Sequence, residues 1–401
     1  MLSEPLPYHW KIRDYFKAQS GIWSFFSADR KKEEQLASFK SDLLKNTYQF
    51  QPGSDPLLYE KIKSIQERLG LAPLRVTAYQ AAHSSELNAS IVCLPGEAHM
   101  VFSGAILQLL DEHELSALIA HELAHIKFYS LSNGELETTD RIISVLAGSP
   151  DSGASHYETA RLFRLYKEIY CDREAYGVLG GAGPVITMLL KIATGLPVVH
   201  AESYIQQAEE IFSGDAGVQS ASLTHPENFI RTRALHLWQS SQAGDPGVEE
   251  AIAQMIEGVM ELDRLDVLSQ RELMEQTRAL LITYLQPEWF RTPVVVALAR
   301  QYFADLEVGK EAGQLPDLTD AHPSIREYFA YVLLDLALAD PDLEDVPLGH
   351  ALALAETLGL TSVLESIVKK ELTYSDKQWE RVKAAIPRQE PGIAGSGSTK
   401  L

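Results

Sequence analysis

The chain has 401 residues, of which 45% are hydrophobic and 22% charged. This length allows two or three domains, and the composition is that of a folded globular protein rather than a disordered one. An excess of 55 Asp and Glu over 35 Lys and Arg gives a formal net charge of −20. This charge argues against nucleic acid as a partner, because an acidic protein repels the phosphate backbone.

The cysteine count and the hydropathy pattern bear on location. Two cysteines, Cys93 and Cys171, cannot form a disulfide framework, so we expect a cytoplasmic protein. The N-terminus has no basic region followed by an apolar one, and no signal peptide is expected. The most apolar long stretch, residues 178–199, is interrupted by glycines, prolines and a lysine, whereas a membrane span needs about 20 mostly apolar residues. We therefore expect no integral membrane segment.

The N-terminal part of the chain predicts helices followed by a small sheet. Residues 1–70 combine aromatic and charged residues at helical spacing, and Ser54-Asp55-Pro56 is typical of a helix start. This region is interpreted as a helical lead-in. Short β-rich runs then alternate with Pro, Gly and polar residues, which predicts strands at 75–79, 89–94 and 100–102.

Two helices are predicted after the sheet. The segment from Asp111 to Glu114 has the form of a capping box, in which each side chain accepts a backbone amide of the other residue. It predicts a helix that runs to about Ser130. A second helix is predicted at 157–176, and the polar stretch between the two is expected to contain one short helix.

Beyond residue 240 the pattern is helical only, which predicts a helical C-terminal domain at 241–390. Capping boxes are expected at 269–272 and 362–365, and Gly359 suits a helix C-terminus. The last residues, 391–401, are rich in Gly and Ser and predict a flexible tail.

The motif that indicates chemistry lies inside the first of the two central helices. The run from His121 to His125 reads His-Glu-Leu-Ala-His and puts two imidazoles one turn apart on the same face. Such a pair can bind one cation, and this spacing is typical of zinc. Glu122 lies beside the pair and can take a proton from a metal-bound water. The alternative interpretation is a pair of hydrogen-bonded structural histidines.

A catalytic zinc site needs a third protein ligand and one position for water. The second helix contains Glu168 and Asp172 four residues apart, so Glu168 can bind the metal while Asp172 hydrogen-bonds the far nitrogen of a ligand histidine. Taken alone, the two carboxylates also fit a solvated helix face. Cys171 is a competing soft ligand, but it points about 100° away from Asp172 around the helix and is interpreted as a structural thiol.

Together these motifs resemble the HtpX and CAAX prenyl protease family of zinc metallopeptidases, over roughly residues 70–240. The resemblance implies an α+β fold, with a zincin-like core of a small sheet and active-site helices and mostly helical N- and C-terminal regions. It implies one Zn²⁺ per chain, bound by His121, His125 and Glu168. It also implies that Glu122 is the general base and that Asp172 supports a ligand from behind.

The resemblance extends to two further features. Asn88-Ala89 matches a strand beside the cleft, where an extended substrate pairs with the sheet edge. His225-Pro226 precedes a helix with Arg231 and Arg233, and matches an element in which the histidine stabilises the oxyanion and an arginine orients it. His322-Pro323 has the same pattern and is a second candidate for this element, but we interpret it as structural.

The chain is therefore predicted to contain a lead-in at 1–70, a zinc metallopeptidase domain at 71–240, and the helical domain, which faintly resembles TerB-type domains linked to tellurite resistance. The predicted function is that of a soluble zinc-dependent metalloendopeptidase acting on a peptide or protein. Three alternatives are another zinc hydrolase such as a deformylase, a structural metal site, and a catalytically weak or inactive adaptor. The adaptor would act through a protein partner of the C-terminal domain.

Overall fold

A computed structural model describes most of the chain: residues 4–28, 40–41, 43–94, 96–215, 217–242, 244–309 and 314–384. The chain forms two compact units, Met1–Gly258 and Val259–Leu401. The tail predicted at 391–401 lies outside the described residues.

The first unit combines a small sheet with helices. Its elements in chain order include α1 (Pro7–Lys17), α2 (Ser20–Ser27), β1 (Thr47–Gln49), α3 (Pro56–Leu69), β2 (Arg75–Ala81), β3 (Asn88–Leu94), β4 (Glu97–Ser103), α4 (Ile106–Leu109), α5 (Glu112–Ser130), α6 (Glu135–Ala147), α7 (Ala154–Leu179), α8 (Gly183–Thr194), α9 (Ala201–Gly214), α10 (Asn228–Ser240) and α11 (Pro246–Glu257). The α+β class predicted from the sequence is confirmed. The three predicted strands are present, each longer than predicted.

The sheet has the strand order β1-β2-β4-β3, with β2 and β4 parallel and the other two pairs antiparallel. β4 lies inside the sheet, and its Met100 and Phe102 are fully buried. Asn88 and Ala89 begin β3, opposite Ser103 and Phe102 of β4. Among the described strands, β3 has a neighbour on one side only, so it is an edge strand of the sheet.

α5 is the central helix of this unit and packs against α3, α6, α7, α8 and β3. The predicted capping box is confirmed: Asp111 accepts the amides of His113 and Glu114, and Glu114 accepts the amide of Asp111. Fully buried alanines at 117, 120 and 124 leave room for the neighbouring elements to approach. The helix predicted in the following linker is α6.

The N-terminal helix α1 packs against α6 and α7. Its buried residues Tyr8, Ile12 and Phe16 are four apart and therefore share one face of the helix. His9 is also completely buried, with its ring 4.6 Å from that of Phe128 in α5. The helical lead-in is thus part of the same compact unit as the sheet.

α11 also belongs to the first unit, although it follows the boundary predicted at residue 240. Its Ile252 and Ile256 are fully buried, and the carbonyl of Met255 accepts the amide of Ser220. The apolar spacing of a helix shows that it packs against something, but not against which core. The predicted and observed limits therefore differ by one helix.

The second unit is helical in its described residues, with α12 (Val267–Tyr284), α13 (Pro293–Tyr302), α14 (Pro323–Ala337), α15 (Val346–Thr357), α16 (Thr361–Leu372) and α17 (Asp376–Ala384). These helices share one apolar core, which includes Leu280, Phe329, Leu352 and Trp379. No helix among the described residues of either unit is long and apolar enough to cross a membrane. The cytoplasmic location stays a prediction.

The predicted helix ends in the second unit are partly wrong. α12 begins two residues before Ser269, and it is Asp266 whose side chain accepts the Ser269 amide. α16 begins after Leu360 without any side-chain cap. The helix end at Gly359 is confirmed, because this residue has φ +69° and lies just after α15, in the left-handed region that favours glycine.

Candidate metal centre

The two motif histidines lie side by side in the middle of α5. Their ring centroids are 5.1 Å apart and the ring planes meet at 82°. His121 is buried, the side chain of His125 is 18% exposed, and both rings lie on the same face of the helix. This follows from the spacing of four residues, which places both side chains on the same helix face.

Glu168 of α7 completes the group. Its Oε2 lies 3.2 Å from Nε2 of His121, and its Oε1 lies 3.7 Å from Nε2 of His125. One ligand atom from each of the three residues lies within 4.8 Å of the other two. The alternative interpretation of Glu168 and Asp172 as part of a solvated helix face is wrong, because both residues are buried.

These side chains fit a bound cation. Glu168 Oε2 is buried and makes no hydrogen bond of good geometry within the described part of the chain, so the pocket leaves a carboxylate oxygen to be satisfied by something else. Two imidazole nitrogens and one carboxylate are also the donor set that a catalytic zinc ion takes, with a fourth position for water. Cys171 is fully buried on the same helix and is not in this group of ligand atoms.

Asp172 holds His121 from behind. Its Oδ1 lies 2.9 Å from Nδ1 of His121, which leaves Nε2 directed at Glu168. Arg231 of α10 in turn donates two hydrogen bonds to this carboxylate, at 2.6 and 2.7 Å. A buried carboxylate that accepts from the outer nitrogen fixes both the tautomer and the orientation of a ligand histidine.

The arginine assignment made from the sequence needs correction in detail. Either Arg231 or Arg233 was expected to orient His225, but Arg231 donates its hydrogen bonds to Asp172, while Arg233 pairs with Glu209 of α9. Both residues lie on one helix, two positions apart, so they point to different sides. The sequence contains no signal that tells which of them faces the site.

The charges of the site are set by burial and by these pairs. Burial opposes the charged form of Asp172, but Arg231 and His121 outweigh it and lower its pKa. For Glu168, too, the neighbouring histidines and Arg231 outweigh burial and hold its pKa well below the usual range. Burial also acts against protonation of His121, yet its hydrogen bond to Asp172 and the adjacent negative charge of Glu168 raise its pKa to about 10. Both carboxylates are therefore ionised and attract a cation.

Glu122 differs from the other carboxylates of the site. It is buried in α5, and burial raises its pKa to about 7, with the Glu168 charge acting in the same direction. A carboxyl group with a pKa near neutrality is matched to both accepting and returning a proton. Burial also lowers the pKa of His125, to about 3, which favours its neutral, metal-binding form.

His225 reaches the site from the loop before α10. Its Nε2 lies 3.7 Å from Oε2 of Glu168, and its side chain is 62% exposed. The rival His322 lies in the second unit, where it caps α14 by accepting the amide of Ser324. Asn88 and Ala89 lie on the edge strand β3, which packs against α5.

Comparisons with known proteins agree with this geometry. Residues 54–239 match the family model of peptidase family M48. The chain is also 28% identical over 172 residues to the plastoglobule-localized metallopeptidase 48, chloroplastic, of Arabidopsis thaliana, a match that covers 38% of this chain and 49% of the relative. The chain thus spans about half the length of this curated relative. The search of solved structures found no significant match.

The matched segment contains the whole sheet except β1, both helices that bear the candidate ligands, and the His225 loop. The resemblance to a metallopeptidase family and the zincin-like core inferred from the motifs are thereby confirmed. Over residues 54–239, a little less than half of its length, this chain is thus similar to peptidase family M48.

Proposed function

We propose that the protein is a zinc-dependent metalloendopeptidase, with one zinc ion held by His121, His125 and Glu168. The observation that supports this most directly is the convergence of these three side chains, from two helices, around a buried carboxylate oxygen that receives no hydrogen bond from the described residues. A structural zinc site has four protein ligands, whereas three ligands with one open position are typical of catalysis.

A zinc ion in this position would polarise the scissile carbonyl and acidify the attacking water. Glu122 then accepts the proton of that water and delivers it to the leaving amine. Its raised pKa suits both steps, since the same group is base first and acid afterwards. The side chain of Glu122 is carried by the same helix turn as the two histidines, so its position relative to the ligands is rigid.

The remaining roles concern the substrate. The outer edge of β3, beginning at Asn88 and Ala89, offers backbone groups to an extended peptide, which would add to the sheet as a further strand. The imidazole of His225 lies on the exposed side of the site, where it can donate a hydrogen bond to the oxyanion that forms during attack.

The test is a comparison of wild type with Glu122→Gln on a mixture of proteome-derived peptides, with zinc and with chelator. We expect the variant to lose about 10³-fold or more in kcat, because the base is removed, while the zinc content stays at one ion per chain. Glu112→Gln, at an exposed position of the same helix, is the matched control and should cleave like wild type. Cleavage by Glu122→Gln at the wild-type rate would exclude the proposed mechanism, and the absence of zinc-dependent cleavage by wild type would favour the adaptor.

A further inference from the structure

The loop at residues 220–227, the His225 loop, has its first part fixed by a buried arginine. Arg161 of α7 donates from Nη1 to the carbonyl oxygens of Ser220 and Ser222, at 3.2 and 3.3 Å. Arg161 is itself only 5% exposed, and its other nitrogens donate to Glu158. The pairing with Glu158 offsets the cost of burying the guanidinium, and Nη1 is left to donate to the loop carbonyls.

The two ends of the His225 loop are also tied to each other. Glu227, its last residue, accepts hydrogen bonds from the Ser220 hydroxyl at 2.8 Å and from the Ala221 amide at 3.1 Å. Ser220 is fully buried, and its amide donates to Met255 of α11. These bonds close the loop into a ring that is anchored to α7 and α11.

The part of the loop between these anchors is exposed and adjoins the metal centre. It contains Thr224 and His225, which interact through Oγ1 and Nδ1 at 3.1 Å, and it leaves Nε2 of His225 3.7 Å from Glu168. Arg161 and Glu168 are seven residues apart on α7, about two turns along the same face. One helix therefore carries both the candidate ligand and the anchor of the loop that faces it.

We propose that Arg161 and Glu227 form a clamp that holds the His225 loop in place before substrate binds, and that Arg161 is a positioning residue for His225. The inference rests on the proposed function, in which His225 stabilises the oxyanion. A donor on a mobile loop would have to be ordered in each turnover, whereas a clamped loop presents the imidazole in a fixed position.

The first test measures kinetics for Arg161→Met and Glu227→Ala. We expect kcat to fall about tenfold with little change in KM, because only the placement of a group that acts in the transition state is affected. The double variant Arg161→Met/His225→Ala should match His225→Ala alone within about twofold, since a residue that acts through His225 has no effect without it. Arg164→Met, one turn further along α7, is the matched control. If Arg161→Met lowers kcat by the same factor in wild type and in the His225→Ala variant, the proposal is wrong.

The second test follows hydrogen exchange of the Ser220 and Ala221 amides, which donate to Met255 and Glu227, together with zinc affinity measured against a competing chelator. The clamp predicts exchange at least about tenfold faster in either variant, because hydrogen-bonded closed states are lost, and a zinc Kd within about threefold of wild type. Glu227→Ala keeps the test valid if Arg161→Met does not fold. Unchanged exchange in a folded variant would disprove the clamp, whether or not the protein shows peptidase activity. If wild type is inactive but the variants exchange faster as expected, the result counts only against the proposed function.

Discussion

The imidazole of His121 is held in place by a chain of buried side chains rather than by its helix alone. Asp172 binds its outer nitrogen, and Arg231 binds Asp172. We predict that Asp172→Asn raises the zinc Kd about 10- to 100-fold, as expected when the partner of a ligand histidine loses its charge. Chelator competition measures this, with exposed Asp151→Asn as the control. A zinc Kd equal to that of wild type would show that Asp172 does not support the ligand.

His9 links stability to pH, because it is completely buried beside aromatic rings. Burial lowers its pKa from 6.5 to about 3. Between these values the unfolded chain binds a proton that the folded chain does not, so the contribution to stability is complete above pH 6.5 and is lost as the pH falls towards 3. Protonation of His9 alone should therefore make the free energy of unfolding about 2 kcal/mol lower at pH 5 than at pH 7.

The measurement is calorimetric unfolding of wild type and His9→Phe at pH 7 and pH 5. The variant keeps an aromatic ring at this position but cannot be protonated, so its stability should fall less on acidification, by about that same 2 kcal/mol. His113→Phe, at an exposed position of α5, is the control. If wild type and His9→Phe respond equally to acid, His9 is not the group responsible.

At the scale of the elements, the start of α5 depends on Asp111, which accepts two amides of the first turn. We expect Asp111→Ala to lower stability by about 1 kcal/mol, which is about 2–4 °C in Tm for a unit of this size. Asp111→Ser should recover most of the loss, because serine also caps helices well. Thermal unfolding of the three proteins decides this. Identical Tm values would mean that packing of α5 makes its cap dispensable.

The helix starts also show where sequence patterns succeed and fail. The box from Asp111 to Glu114 forms as predicted, but the similar patterns at Ser269 and Ser362 lie within helices that have already begun. A Ser followed three residues later by Glu is compatible with either position. At Ser269 an aspartate three residues earlier, Asp266, provides the cap instead.

At the scale of the whole molecule, every candidate site residue belongs to the unit Met1–Gly258. A fragment of residues 1–258 is therefore expected to fold, to bind zinc and to keep kcat/KM within about threefold of the full chain, as domains with their own core commonly do. A fragment of residues 1–240 lacks α11 and its contact with Ser220, and we expect it to be less stable and less active. Equal behaviour of the two fragments would place the functional limit at the boundary predicted from the sequence.

Much of the candidate site was predictable because its signals are local. His121 and His125 are four residues apart, as are Glu168 and Asp172, so each pair shares one face of its helix. The helices that carry the two pairs were also predicted from local sequence patterns. The same holds for the strands, whose β-rich runs lie between turn residues. These features depend on residues that are near one another along the chain.

Other features depend on contacts between distant segments and were decided by the tertiary structure. Arg231 reaches Asp172 across 59 positions of sequence, and Arg161 reaches Ser220 across the same number. No periodicity in the chain indicates such pairs, because a buried charge selects its partner by proximity after the helices have packed. By itself the sequence determined which groups can bind a metal and on which helix faces they lie; packing decided which buried side chains hold them there.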